Sequence, residues 1–128
     1  MSTDTIIDTH SFDTAAAKQY LADFLEDPTL EFIEDTFEYD ADDLGEATDA
    51  LLACELVAAL IGSPSKDLPE NVKLALKGKP MPSKKLLNKT RQAVRSILDE
   101  KSALRVHHTE KGTETWLPAV KALLDRLT

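Results

Sequence analysis

Residues 47–61 read ATDALLACELVAALI, and the reading of this stretch decides the fold. Ala47, Ala50, Leu51, Cys54, Val57, Ala58 and Ile61 recur at three- and four-residue spacing, the period of one helical face. Leu52, Leu56, Ala59 and Leu60 cover most of the remaining circumference. A helix that is apolar nearly all round belongs at the centre of a bundle, with neighbours on several sides. Its alanines let those neighbours come close. Gly62 followed by Pro64 supplies the stop. One residue breaks the pattern. Glu55 puts a carboxylate into the apolar run, where it must be paired, reach a wet edge or shift toward its neutral form. The ordinary reading is a structural pair with Arg91, Arg95 or Arg105. A catalytic acid is the sharper reading, but it needs a second member that the sequence does not identify.

Immediately upstream, residues 37–46 read FEYDADDLGE, which has the look of a calcium loop. That loop needs oxygen ligands at positions 1, 3 and 5, glycine at 6 and a bidentate glutamate at 12. Counting from Asp40, Asp42 and Gly45 fit, but Leu44 falls at position 5 and Leu51 at position 12. Two ligands are missing, so the loop fails. A helix start fits better: Asp40 or Asp42 caps, and carboxylates in the first turn complement the positive end of the helix.

Working outward, the same periodicity predicts further helices. Ser11 or Asp13 caps a first helix with Ala17, Tyr20, Leu21 and Phe24 inward, ended near Asp27 by Pro28. A second runs from Thr29 to about Tyr39, with Leu30, Ile33 and Phe37 inward and Glu31, Glu34, Asp35 and Glu38 outward. A short helix begins around Pro69. Ser83 caps a longer one carrying Leu86, Leu87, Thr90, Ala93, Val94, Ile97 and Leu98. Residues 101–112 are open between loop and helical turn. A last helix begins near Thr113, with Trp116, Val120, Leu123, Leu124 and Leu127 inward and Pro118 in or near its first turn. No β-alternation competes. The expected fold is all-α: a single domain over residues 1–128, a compact bundle of five to six helices around the Ala-rich helix.

With 128 residues, 42% hydrophobic and 30% charged, the composition is globular. No apolar run approaches the roughly 20 residues of a membrane span, and the acidic N-terminus lacks the basic and apolar regions of a secretory signal. Cys54 is the one cysteine, which suits a reducing compartment. A cytoplasmic location is the expectation. The net charge of −8 conceals a sharper feature. Residues 1–62 hold 16 acids against Lys18 alone, whereas residues 63–128 hold 14 Lys and Arg against 7 acids. From Asp23 to Asp49 there are 12 carboxylates and no Lys or Arg. Such asymmetry bears on association rather than on fold.

Chemistry-bearing constellations are sparse. His107 and His108 are adjacent and so point in different directions, whereas helical metal ligands stand three or four apart; no metal and no cofactor is expected. Cys54 lies on the apolar face as packing rather than as a nucleophile. There is no glycine-rich phosphate loop and no nucleophilic triad with supporting context. Nucleic acid is disfavoured as a partner, because the acidic half repels phosphate.

Three stretches together resemble a small bacterial family catalogued as domain of unknown function 4259. Members open with Trp-Gly followed by Phe-Asp-Asn-Asp-x-Ala. Here Ser11-Phe12-Asp13-Thr14-Ala15-Ala16 keeps the Phe-Asp and the alanine, with Thr9 and His10 near the place of the Trp-Gly pair. The family's alanine-rich helix with an inner glutamate, then Gly-x-Pro and Leu-Pro-Glu, is similar to Ala53–Gly62, Pro64 and Leu68-Pro69-Glu70. Ser102-Ala103-Leu104 and Trp116-Leu117 give a looser third match. The resemblance implies no established activity.

These readings point to a non-enzymatic acidic protein that binds a basic protein, with a cytoplasmic immunity protein against a basic bacterial toxin, nucleases among the candidates, as the leading expectation. The charge partners would be Glu31, Glu34, Asp35, Glu38, Asp40, Asp42 and Asp43, steering a cationic surface into place. Two other readings compete: a self-associating regulatory or scaffold protein, acidic half against basic half, and an enzyme centred on Glu55. The ordinary reading of the acidic run is a solvated face partly matched by Lys84, Lys85, Lys89, Arg91 and Arg95.

Overall fold

The computed structural model describes residues 15–40, 42–65, 68–111 and 116–127. Among the described residues seven helices follow one another: α1 (Ala15–Glu26), α2 (Leu30–Thr36), α3 (Leu44–Leu60), α4 (Glu70–Leu76), α5 (Lys84–Leu98), α6 (Ala103–Lys111) and α7 (Trp116–Arg126). The architecture is the all-α bundle expected from the sequence, and every other helix packs against α3. Within the segment 101–112, left open by its sequence, Ala103–Lys111 form α6, started by the Ser102 hydroxyl accepting from the Arg105 N–H at 3.1 Å.

The placement of α3 follows from its side chains. All residues from Ala50 to Ala58 are buried, Glu55 included, so the helix has no wet face along its middle. Ala47, Ala50, Ala53 and Ala58 are fully enclosed. They let α1, α2 and α5 sit close, and enlarging one would cost about 1–3 kcal/mol in forced repacking. Around this axis Phe24 of α1, Ile33 of α2, Val72 of α4, Val94 and Ile97 of α5, Val120 and Leu123 of α7, and Leu127 just after it complete one core.

The ends of the helices show why each stops where it does. Thr29 caps α2, its hydroxyl accepting from the Phe32 N–H at 3.0 Å, and Ser83 caps α5 through the Leu86 N–H at 3.1 Å. At the end of α3 the Ser63 N–H reaches the Ala58 carbonyl at 2.8 Å and the Gly62 N–H reaches Ala59 at 3.1 Å. That pairing needs a left-handed residue, and Gly62 supplies it at φ +93°. Proposed caps Ser11 and Asp13, and the inward side chain of Trp116, lie outside the described residues.

The start of α3 corrects one expectation. The cap is Asp43 rather than Asp40 or Asp42: its Oδ1 accepts from the Glu46 N–H at 3.0 Å. Asp40 is occupied in the preceding turn, accepting from the Asp42 N–H at 2.9 Å. The Glu46 carboxylate reaches back to the Asp40 N–H at 3.1 Å. The sequence that imitates a calcium loop is a double-sided helix cap, and its carboxylates are turned to backbone donors.

Candidate acidic groove

Three helices bring separate parts of the acidic run together. Asp23 from α1, Asp35 from α2, Glu38 from the turn after it, and Glu46 and Asp49 from the first turns of α3 line a groove of about 440 Å³. Its remaining lining is aromatic and hydroxylic: Tyr20, Phe32, Thr36 and Tyr39. The aromatic group is fixed from below. Phe32 stacks at a tilt on Tyr20 and Phe24, with ring centroids 5.5 and 5.9 Å apart. Tyr20 and Thr36 share a hydrogen bond at 2.9 Å, and burial pushes the Tyr20 phenol above its ordinary range. No lysine or arginine among the described residues lines this groove.

Its electrostatics are those of like charges held close. Partial burial raises the Asp49 carboxyl above the ordinary carboxylate range, and the negative charges of Asp23, Glu46 and Asp43 raise it further. The positive end of α3 offsets part of this repulsion. The carboxylates are spread along the groove rather than aimed at one point: among the described residues no three His, Cys, Asp or Glu side chains form a set fit for a metal ion. What the groove can hold is an extended cation. An ammonium or guanidinium there would meet carboxylates and aromatic side chains in the same lining, and a ring contact of that kind contributes about 0.5–2 kcal/mol.

The seven expected partner residues divide into four groups. Asp35 and Glu38 line the groove. Glu31 and Asp42 are exposed outside it. Asp40 and Asp43 serve the cap of α3. Glu34 is neutralised within the molecule, because Lys89 on α5 donates to its Oε2 at 2.8 Å. That bond and the lysine charge hold the Glu34 carboxyl below its ordinary value. Of the cations suggested as internal partners, Lys89 takes this role. Arg91 instead donates to the Leu127 carbonyl at 3.0 Å. Asp23, Glu46, Asp49, Tyr20 and Tyr39 were not singled out by sequence; only the continuity of the acidic run hinted at the first three.

Glu55 is resolved differently from expectation. Its partner is Arg126 of α7, not Arg91, Arg95 or Arg105, and Arg105 is turned to the Leu98 carbonyl. The guanidinium donates through Nη1 to Oε1 at 3.0 Å and through Nη2 to Oε2 at 2.9 Å, while Nη1 also reaches the Ser63 carbonyl at 3.0 Å. Both carboxylate oxygens are occupied by this fork. Cys54 is buried and donates toward the Thr90 carbonyl at 3.6 Å, and burial pushes its thiol well up, the setting of a packing residue. His107 is half-buried on α6; the side chain of His108 is outside the described residues.

The profile of a family described as domain of unknown function (DUF4259) matches residues 5–119. The chain belongs to that family. The match takes in the groove and all of α1 to α6, while Arg126 lies beyond it. No curated protein and no solved structure matches the chain. Among the described residues no helix is long and apolar enough to cross a membrane.

Proposed function

We propose that this member of the family is a cytoplasmic, non-enzymatic binding protein that captures a basic protein, as an immunity protein against a nucleic-acid-cleaving toxin would. The observation that supports the reading is the groove itself: five carboxylates from three helices and the turn after α2 gathered beside aromatic side chains, with no lysine or arginine among the described lining residues. A nuclease presents cations to the phosphates of its substrate, and a row of fixed carboxylates competes for that surface. Negative potential also speeds the encounter. The raised Asp49 carboxyl fits the same picture, since uncompensated like charge is a feature that a stability optimum alone would remove.

Asp23, Asp35, Glu38, Glu46 and Asp49 form the binding set, with Tyr20, Phe32 and Tyr39 as the ring faces against which a guanidinium lies. Glu31 and Asp42 add to the long-range field. The test is co-production with the toxin domain encoded beside it in the same operon. Growth should be rescued by the native chain and lost on combining Asp35→Lys, Glu38→Lys and Asp49→Lys, provided the variant keeps its helical spectrum. Rescue undiminished by those reversals, or an operon without such a toxin gene, overturns the reading.

A further inference from the structure

The two ends of α3 carry complementary features. At its first residue, Leu44 leaves 40% of its surface in solvent, and Asp42, Asp43 and Glu46 around it in sequence are exposed carboxylates. At the other end, Ala59 and Leu60 join Pro64 and Leu76 in a largely apolar hollow of about 360 Å³, which Lys73, Lys77 and Lys79 also line. At a rise of 1.5 Å per residue the two features stand about 24 Å apart along the helix. Leu44 therefore cannot reach the hollow of its own chain.

We infer that this hollow is a docking site for the Leu44 end of a second copy of the chain. The fit is one of shape and of charge together. An apolar tip ringed by carboxylates matches an apolar hollow ringed by lysines, and the same helix carries both. Docking would bring the negative end of one α3 toward the positive end of the next, which aligns their dipoles favourably. Asp43 and Glu46 each accept from a backbone N–H through one oxygen, and both side chains are exposed, so the lysines of a docked copy can meet them. The contact is heterologous: each copy uses its tip on one neighbour and its hollow on another, and assembly continues until a ring closes or a chain forms. The area involved is small, so the association belongs to the weak, transient class. This inference does not rest on the captured basic partner: Glu46 also lines the groove, but the substitutions at Leu44, Lys73, Lys77 and Lys79 that test it leave the groove lining untouched.

Sedimentation velocity of the full chain at high protein concentration tests it. The wild type should sediment above its 14.1 kDa monomer mass at ~10 mM salt, where screening acts beyond about 30 Å, and dissociate at ~150 mM, where it acts beyond about 8 Å. This direction is informative, because the net charge of −8 alone would make association stronger with added salt. Leu44→Glu should be monomeric, and so should the combined Lys73→Glu, Lys77→Glu and Lys79→Glu variant, with unchanged melting temperatures. Leu44→Gln, which removes the apolar tip without adding charge, should weaken association by at least about tenfold. The decisive arm is mixing. Leu44→Glu retains its hollow and the lysine variant retains its tip, so an equimolar mixture should form a one-to-one pair. A wild type monomeric at both salts, a Leu44→Glu chain that associates like the wild type, or a mixture that stays monomeric overturns the inference.

Discussion

Replacing Arg126 with methionine tests the most consequential buried contact in the molecule. Glu55 is only 2% exposed, and the substitution removes the guanidinium that meets both of its oxygens and the Ser63 carbonyl. Breaking a buried ion pair from one side costs about 3–5 kcal/mol, because the remaining charge is left in a poorly solvating place. With an unfolding entropy of about 2.1 cal/mol/K per residue, the 128-residue chain has roughly 0.27 kcal/mol/K at its midpoint, so the melting temperature should fall by about 11–19 °C. Out of a total stability of about 5–15 kcal/mol, that is a large share. Thermal unfolding followed by circular dichroism reads it directly. A second variant separates the pair from the packing: Glu55→Leu combined with Arg126→Met should recover most of the loss, since an apolar pair of similar volume removes the desolvation penalty altogether. A fall of less than about 4 °C for Arg126→Met, or a double variant no better than the single one, would refute the assignment of Arg126 as the group that pairs with Glu55 in the core.

Asp49→Asn should stabilise the fold near neutral pH. The carboxyl is raised in the folded state, so folding favours its protonated form. The penalty is present above the folded pKa and disappears as pH falls through it toward the unfolded value. The gain, held to about 1 kcal/mol or less by solvent screening, should therefore fade on acidification, and a gain that grew toward low pH would contradict the cause given. Asp43→Ala removes the α3 cap and should lower stability by about 0.5–2 kcal/mol, whereas Asp43→Ser should retain most of it; equal losses in urea unfolding would show that the side-chain oxygen is not the relevant group.

How far the sequence could be read depended on the range of the interaction concerned. The alternation of Ala47, Ala50, Leu51 and Cys54 with Leu52 and Leu56 is a local pattern, and it located the central helix correctly. Ser83, with its hydroxyl three residues before an amide, and Gly62 before Pro64 are equally local, and both do what their chemistry implies. The choice among Asp40, Asp42 and Asp43 as cap turned on backbone dihedrals that neighbouring identical side chains do not reveal. Arg126 was missed for a different reason. It lies 71 positions from Glu55 and three after Leu123, at the margin of the inward face of α7, so only the packing of α7 on α3 brings it in. The groove was half legible. Asp35 and Glu38 were named from the density of charge, but Asp23 and Asp49 join them only because α1 and α3 pack together, and Glu34 leaves the set because α5 delivers Lys89.

The separation of charge along the chain becomes a separation along one axis in the fold. Carboxylates gather around the first turns of α3, where the helix end is partially positive, and lysines line the hollow at its last turn, where the end is partially negative. Each half is therefore placed where the backbone favours it, and the internal balance requires few direct ion pairs: the described residues show Lys89–Glu34 and Arg126–Glu55. Neither involves the carboxylates that line the groove. Had the acidic run served only to balance the molecule's own cations, α5, which carries Lys85, Lys89, Arg91 and Arg95, would have been the natural place to meet them. Instead one lysine crosses over to bond Glu34; its charge also acts on Asp35 and Glu38, but its bond is to neither. That arrangement leaves the negative potential available to a partner, and it is the physical reason for seeking one with a complementary surface.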